Sequence, residues 1–154
     1  MKISECLQEQ GILINSSKTS KKELLEELVD LVASTYNLQN RDQIFEAVIS
    51  REEQMSTGIG CGLAVPHAKV SGIQDLCIVA MTSQNGMDFH AIDKEPVYLL
   101  ILLISPEDTV GAHIRALSSV SRIMANAKVR QQLIDSKDSH EFLEVLKTAE
   151  EVYS

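Results

Sequence analysis

Residues 97–104, VYLLILLI, form an unbroken apolar run with no charge and no alternation. A membrane-spanning helix needs about 20 such residues, so the run is too short to cross a bilayer. An apolar segment of this length without a period of two fits a strand covered on both faces. Such a strand needs helices on each side, and the rest of the chain contains them. The pattern therefore predicts a single α/β domain over residues 1–154, with a central mixed β-sheet flanked by α-helices.

Other strands are read from shorter signals. Residues 12–14 make a brief apolar segment closed by Asn15-Ser16-Ser17, and Leu63-Ala64-Val65 reads as a short strand ending at Pro66. That ending places His67 at the strand's carboxyl end. Residues 76–81 are continuously apolar, Asn85-Gly86 reads as a tight turn, and residues 87–92 alternate enough for a partner strand.

The helices announce themselves by caps and periodicity. Ser20 with Glu23 forms a capping box ahead of Leu24, Leu28, Leu31 and Val32, and Asn37 is a left-handed terminator. Asn40 with Gln43 fits the start of a second helix. On it, Ile44, Val48, Arg51 and Met55 share one face, which sets a guanidinium within an apolar stripe. That arginine either meets an anion, pairs with Glu52 or Glu53, or carries its charge out to water along its stem. Ser105-Pro106-Glu107-Asp108 carries the signals of a third helix start, with Thr109 as an alternative cap. Val110, Ile114, Leu117, Val120 and Met124 then trace one face, and His113 falls inside it. Shorter helical signals cover residues 129–134 and the segment from Ser139, with Phe142, Val145 and Leu146 on its inner face.

Composition narrows the function. The 22 acidic and 14 basic residues give a formal net charge of -8, with no cluster of Lys or Arg to offset it, which disfavours nucleic acid as a partner. Cys6, Cys61 and Cys77 are odd in number and contain no C-x-x-C pair, so neither a disulfide framework nor a zinc ribbon is suggested. A reducing cytoplasm suits them. The opening residues lack a signal-peptide core, so direct membrane insertion is not expected.

The unusual choices lie in residues 51–69, REEQMSTGIGCGLAVPHAK. Gly58, Gly60 and Gly62 permit a sharp turn and close approach of backbone N–H groups to a ligand. The plainer alternative is a glycine-rich loop entering a strand, with His67 simply exposed. No window supplies the G-x-x-x-x-G-K-[ST] or G-x-G-x-x-G patterns of nucleotide sites. Zinc held by Cys61, His67 and His113, or Cys61 as a nucleophile with His67 as its base, remain as alternatives. The chemistry that uses most of these residues is phosphoryl acceptance on a histidine. One imidazole nitrogen attacks phosphorus while a hydrogen bond holds the other, and an arginine, further donors and backbone N–H groups receive the incoming charge. His67, Arg51, His113 and the glycine turn supply those types.

The run R-E-x-x-x-S-T-G-I-G-x-G-x-A-V-P-H, from Arg51 to His67, resembles the IIA domain of the bacterial phosphoenolpyruvate-dependent sugar phosphotransferase system, in its fructose, mannitol and nitrogen-regulatory class. The resemblance extends through residues 86–93, the apolar strand and the placement of His113 and Leu117. It implies a mixed sheet with flanking helices and a phosphoacceptor histidine matching His67. Arg51 matches the arginine that stabilises the phosphoryl group, His113 matches the second active-site histidine, and Ser56, Thr57, Gly58, Gly60 and Gly62 match the phosphate-contacting loop. The implied donor is the small carrier HPr or its nitrogen-branch paralogue. Downstream, the phosphoryl group passes to a IIB cysteine or regulates other proteins. No cofactor, metal or nucleotide is implied. His90 and His140 match no site position and are read as surface residues. Because no IIB, IIC or HPr-like segment accompanies the domain here, the regulatory branch is slightly favoured, with a non-transport binding module whose phosphohistidine switch is not used in transfer as the alternative.

Overall fold

In the computed structural model, which describes residues 1–153, the central element is the strand predicted from the apolar run. In chain order the strands are β1 (Ile12–Leu13), β2 (Gly58–Gly60), β3 (Leu63–Ala64), β4 (His67–Val70), β5 (Cys77–Met87) and β6 (Val97–Pro106). The helices are α1 (Lys21–Tyr36), α2 (Arg41–Gln54), α3 (Gly111–Met124), α4 (Ala127–Ile134) and α5 (Ser139–Tyr153). The sheet runs β1-β5-β6-β3-β2, with β4 also paired to β6. It is mixed: β1 is parallel to β5, β3 and β4 are parallel to β6, and the other pairs are antiparallel.

The absence of alternation in β6 has the expected cause. Leu100, Leu102 and Ile104 join one core with Val79 and Met81 of β5, Leu24, Leu28 and Val32 of α1, and Ile44 and Val48 of α2. Leu99, Ile101 and Leu103 join the other with Ile78 and Ala80 of β5, Val120 and Ile123 of α3, Leu133 of α4 and Phe142 of α5. The result is three layers, helices over both faces of the sheet. Among the described residues no helix is long and apolar enough to cross a membrane.

The caps of α1 fall where expected. Ser20 accepts a hydrogen bond from the Glu23 N–H, and Asn37 closes the helix at φ 58°. Three other expectations are corrected. Asn85-Gly86 makes no tight turn, because β5 continues to Met87 and residues 88–92 form no strand. Gly86 instead lies at φ +74 beside the Tyr98 ring, where a Cβ would stand 2.7 Å from a ring carbon. Its glycine serves close packing within the sheet rather than chain reversal. Ser105 and Pro106 do not start α3; they extend β6, paired with Lys69 and Val70 of β4, and the helix begins at Gly111. Finally, His67 does not end a strand. It opens β4 after the Val65-Pro66 break, in register with Leu103.

Helix faces also differ in phase from the sequence reading. On α3 the buried residues are His113, Ala116, Ser119, Val120, Ile123 and Met124, leaving Val110 and Ile114 exposed. On α2 the buried stripe is Ile44, Val48 and Glu52, with Met55 exposed and Arg51 half-buried.

Gly58 is tightly enclosed, since a Cβ there would come within 2.8 Å of the Ala91 Cβ and 3.0 Å of its Cα. Gly58→Ala is expected to cost about 1–3 kcal/mol through overpacking, read as a lowered denaturation midpoint with unchanged secondary structure by circular dichroism.

Candidate functional site

The site begins with the ladder between β4 and β6. Because His67 faces Leu103 and Lys69 faces Ser105, the side chains at 67, 69 and 105 lie on the α3 side of the sheet. Ser105 is fully buried, and its Oγ lies 2.6 Å from Nδ1 of His113 in the first turns of α3. That contact draws the His113 ring toward β4. The His67 and His113 ring centroids stand 5.4 Å apart with the planes tilted by 56°.

Hydrogen-bond partners assign the two rings opposite polarities. Nδ1 of His67 lies 2.8 Å from the Val65 carbonyl, which only accepts, so Nδ1 carries the proton and Nε2 keeps a lone pair. His113 is arranged the other way. Among the described residues the buried Ser105 hydroxyl contacts no other acceptor, so it satisfies its own proton by donating to Nδ1 of His113. His113 then carries its proton on Nε2. One ring offers a nucleophilic nitrogen and its neighbour a donor.

The surroundings of His113 disfavour its protonated form. Burial, then the nearby His67 ring and the Lys69 ammonium, lower its pKa from the ordinary 6.5.

Arg51 occupies the last turn of α2, where its guanidinium Nη1 donates to the Met55 carbonyl at 3.0 Å. Among the described residues it forms no ion pair, so neither Glu52 nor Glu53 neutralises it, and its remaining donors are uncommitted to any side chain. It stands at the head of the 55–57 segment. There Thr57 accepts a hydrogen bond from the Val65 N–H at 3.1 Å, tying the segment to the residue that orients His67.

The remaining loop residues divide. The Ser56 Oγ accepts from the Gly58 N–H at 3.1 Å, and the Thr57 N–H and hydroxyl both donate to Glu52, at 2.7 and 2.6 Å. Gly60 and Gly62 belong to the hairpin between β2 and β3, packed on Asp93 and Tyr98. The Gly62 carbonyl accepts from the N–H groups of Tyr98 and Leu99. Since His67 is registered to Leu103, that hairpin lies about 13 Å along β6 from it, at about 3.3 Å per residue. The structure brings His67 and His113 together, ties Thr57 to His67 through Val65 with Ser56 and Gly58 on either side of it, and leaves Gly60 and Gly62 at the far end. Cys61 goes with the hairpin, its N–H on Asp93, so Cys61, His67 and His113 do not converge on a metal. His90 and His140 are exposed, the latter with Nδ1 2.8 Å from the Glu9 carboxylate.

Sequence reasoning missed Glu52, Ser105 and Val65 as parts of the site. The one available signal was the spacing of Glu52, which continues the Ile44 and Val48 stripe by one further step of four.

The fold and the paired rings define a class of molecule: a three-layer α/β domain with two facing imidazoles of opposed hydrogen-bond polarity beside the final residues of its central strand. Comparison with known proteins makes the class specific. The family model of the phosphoenolpyruvate-dependent sugar phosphotransferase system, EIIA 2, matches residues 5–149, and the chain belongs to that family. It is 30% identical over 146 residues to the fructose-specific EIIABC component of the phosphotransferase system from Bacillus subtilis (strain 168), covering 95% of this chain and 23% of that protein. The chain thus spans less than a quarter of that relative's length. The crystal structure of the nitrogen regulatory protein IIA-Ntr from Neisseria meningitidis superposes with a TM-score of 0.86 at 29% identity, over 94% of this chain and 98% of that one. The Escherichia coli mannitol IIA enzyme, determined in complex with phosphorylated IIB, gives a TM-score of 0.79 at 17% identity over 92% and 99%, a likeness of fold alone. Members of the family are phosphotransferase components, which supports a general role in phosphoryl transfer.

The lowered pKa of His113 has a signed consequence. Between that value and the ordinary 6.5 the unfolded chain binds more protons than the native one, so stability from this group is full above about pH 6.5 and is lost as pH falls below it. His113→Gln is expected to flatten this part of the profile, measured as denaturation midpoint against pH from 7.5 down to 5.

Proposed function

We propose that this protein is a phosphoryl carrier that accepts phosphate on Nε2 of His67 from phospho-HPr or its nitrogen-branch paralogue in the cytoplasm. The observation that carries the reading is the His67 Nδ1 contact with the Val65 carbonyl at 2.8 Å, which leaves Nε2 as the nucleophile beside His113. In the transfer, the Nε2 lone pair attacks phosphorus as the donor's N–P bond breaks, and its electrons return to the donor imidazole. The phosphoryl oxygens then take the His113 Nε2–H, the Arg51 guanidinium and the Ser56 hydroxyl as donors. Thr57 and Gly58 act through the loop's shape, their N–H groups being engaged within the protein, and Gly60 and Gly62 shape the hairpin. Of the three possibilities read for Arg51 in the sequence, an anion partner is the one retained here.

Downstream, the group either moves to a IIB cysteine or sets the affinity of His67's surroundings for regulated proteins. The mannitol IIA–IIB complex supports the first outlet and the Neisseria regulatory protein supports the second. Exposed Val110 and Ile114 on α3 flank His113 and give a protein partner apolar contact there.

Incubation with phosphoenolpyruvate, enzyme I and HPr is expected to label the protein with acid-labile phosphate, and His67→Ala to abolish labelling; full labelling of that variant overturns the assignment. Arg51→Ala is expected to fold normally and slow transfer by about 2–4 kcal/mol, roughly 30- to 900-fold, as for loss of one oxyanion donor. Wild-type rates in stopped transfer assays contradict that role.

A further inference from the structure

The buried carboxylate of Glu52 has no place in the chemistry above. It is 6% exposed and holds three donors: the Thr57 N–H at 2.7 Å, the Thr57 hydroxyl at 2.6 Å and the Lys21 ammonium at 3.0 Å. Lys21 itself sits 4.5 Å above the Phe89 ring centroid, at the first residue of α1. A carboxylate inside a protein is costly to desolvate and persists only when its oxygens are fully engaged. Here they are engaged by one residue twice over, which fixes both the peptide plane and the side chain of Thr57.

The fixed residue is not remote from the site. The Thr57 carbonyl accepts the Val65 N–H at 3.1 Å, and the Val65 carbonyl accepts Nδ1 of His67 at 2.8 Å. Pro66, between them, has no N–H to donate to Nδ1 of His67 and favour the other tautomer, and its carbonyl accepts the Leu103 N–H at 3.0 Å. The contacts make one path from Lys21 through Glu52, Thr57 and Val65 to the imidazole. We propose that Glu52, neutralised by Lys21, is a positioning residue that sets the tautomer and orientation of His67 through Thr57 and Val65. The proposal rests on His67 being the phosphoryl acceptor.

The experiment compares wild type, Glu52→Ala, Glu52→Gln and Lys21→Met, each checked for a cooperative melt. Two readouts are taken: the two ring-nitrogen shifts of His67 in 15N-histidine-labelled protein, and the initial rate of phosphoryl transfer from phospho-HPr. Wild type is expected to show the Nδ1–H form. Glu52→Ala is expected to show a mixture of tautomers and a rate reduced about tenfold or more, with Glu52→Gln, which keeps the reach, falling between the two. Wild-type ring shifts and rate in folded Glu52→Ala overturn the proposal. Should Glu52→Ala not fold, Glu52→Gln and Lys21→Met decide it: a partial shift toward the other tautomer supports the relay and unchanged shifts in both overturn it. If wild type takes no phosphate on His67, the carrier function fails, and the ring-nitrogen comparison still decides whether Glu52 positions the ring.

Discussion

The two facing rings of the site are placed by β6, His67 through its pairing and His113 through Ser105. The strand is buried on both faces, so a slip of one residue would exchange its two cores and is prohibited by the packing on either side. Because register is fixed, Leu103 necessarily faces His67 and Ser105 faces Lys69, and Ser105 lies where its hydroxyl meets His113. The same strand receives β3, whose neighbour β2 carries the glycine hairpin. A hydrophobic constraint therefore sets the spacing of two polar rings.

The rings are held by neutral partners, a carbonyl for one and a hydroxyl for the other. Neither arrangement brings a fixed carboxylate to the pair, and burial is the largest influence lowering the His113 pKa. The nearby charges that are positive include the Lys69 ammonium, close enough to His113 to lower its pKa, and the Arg51 guanidinium carries no ion pair among the described residues. A carboxylate beside either ring would oppose the incoming phosphoryl group. The one buried carboxylate nearby, Glu52, is turned away from the rings toward Lys21 and Thr57.

Much of this was legible from residue order. The apolar run announced a two-sided strand, Ser20 and Asn37 announced the ends of α1, and the stretch from Arg51 to His67 announced the family. What escaped depended on contacts distant in sequence. Asn85-Gly86 has turn composition, yet the glycine is required by the Tyr98 ring from the next strand. Ser105-Pro106 has helix-start composition, yet the serine serves His113 and the proline ends a strand. Val110 and Ile114 fit the helical period but face outward, because His113 and Ala116 set the phase of α3. Glu52 stands in a charged run, and its partners Thr57, across the loop, and Lys21, on α1, account for its burial. The loop glycines were read as one ligand-facing set, whereas the hairpin carries two of them to the other end of the strand.

The central claim is that the Val65 carbonyl leaves Nε2 of His67 as the reacting atom. The most direct measurement is the 31P–15N coupling in phosphorylated protein labelled with 15N-histidine. Phosphorus is expected on Nε2 of His67, with Nδ1 still protonated; phosphorus on Nδ1, or on any other residue, would contradict that assignment.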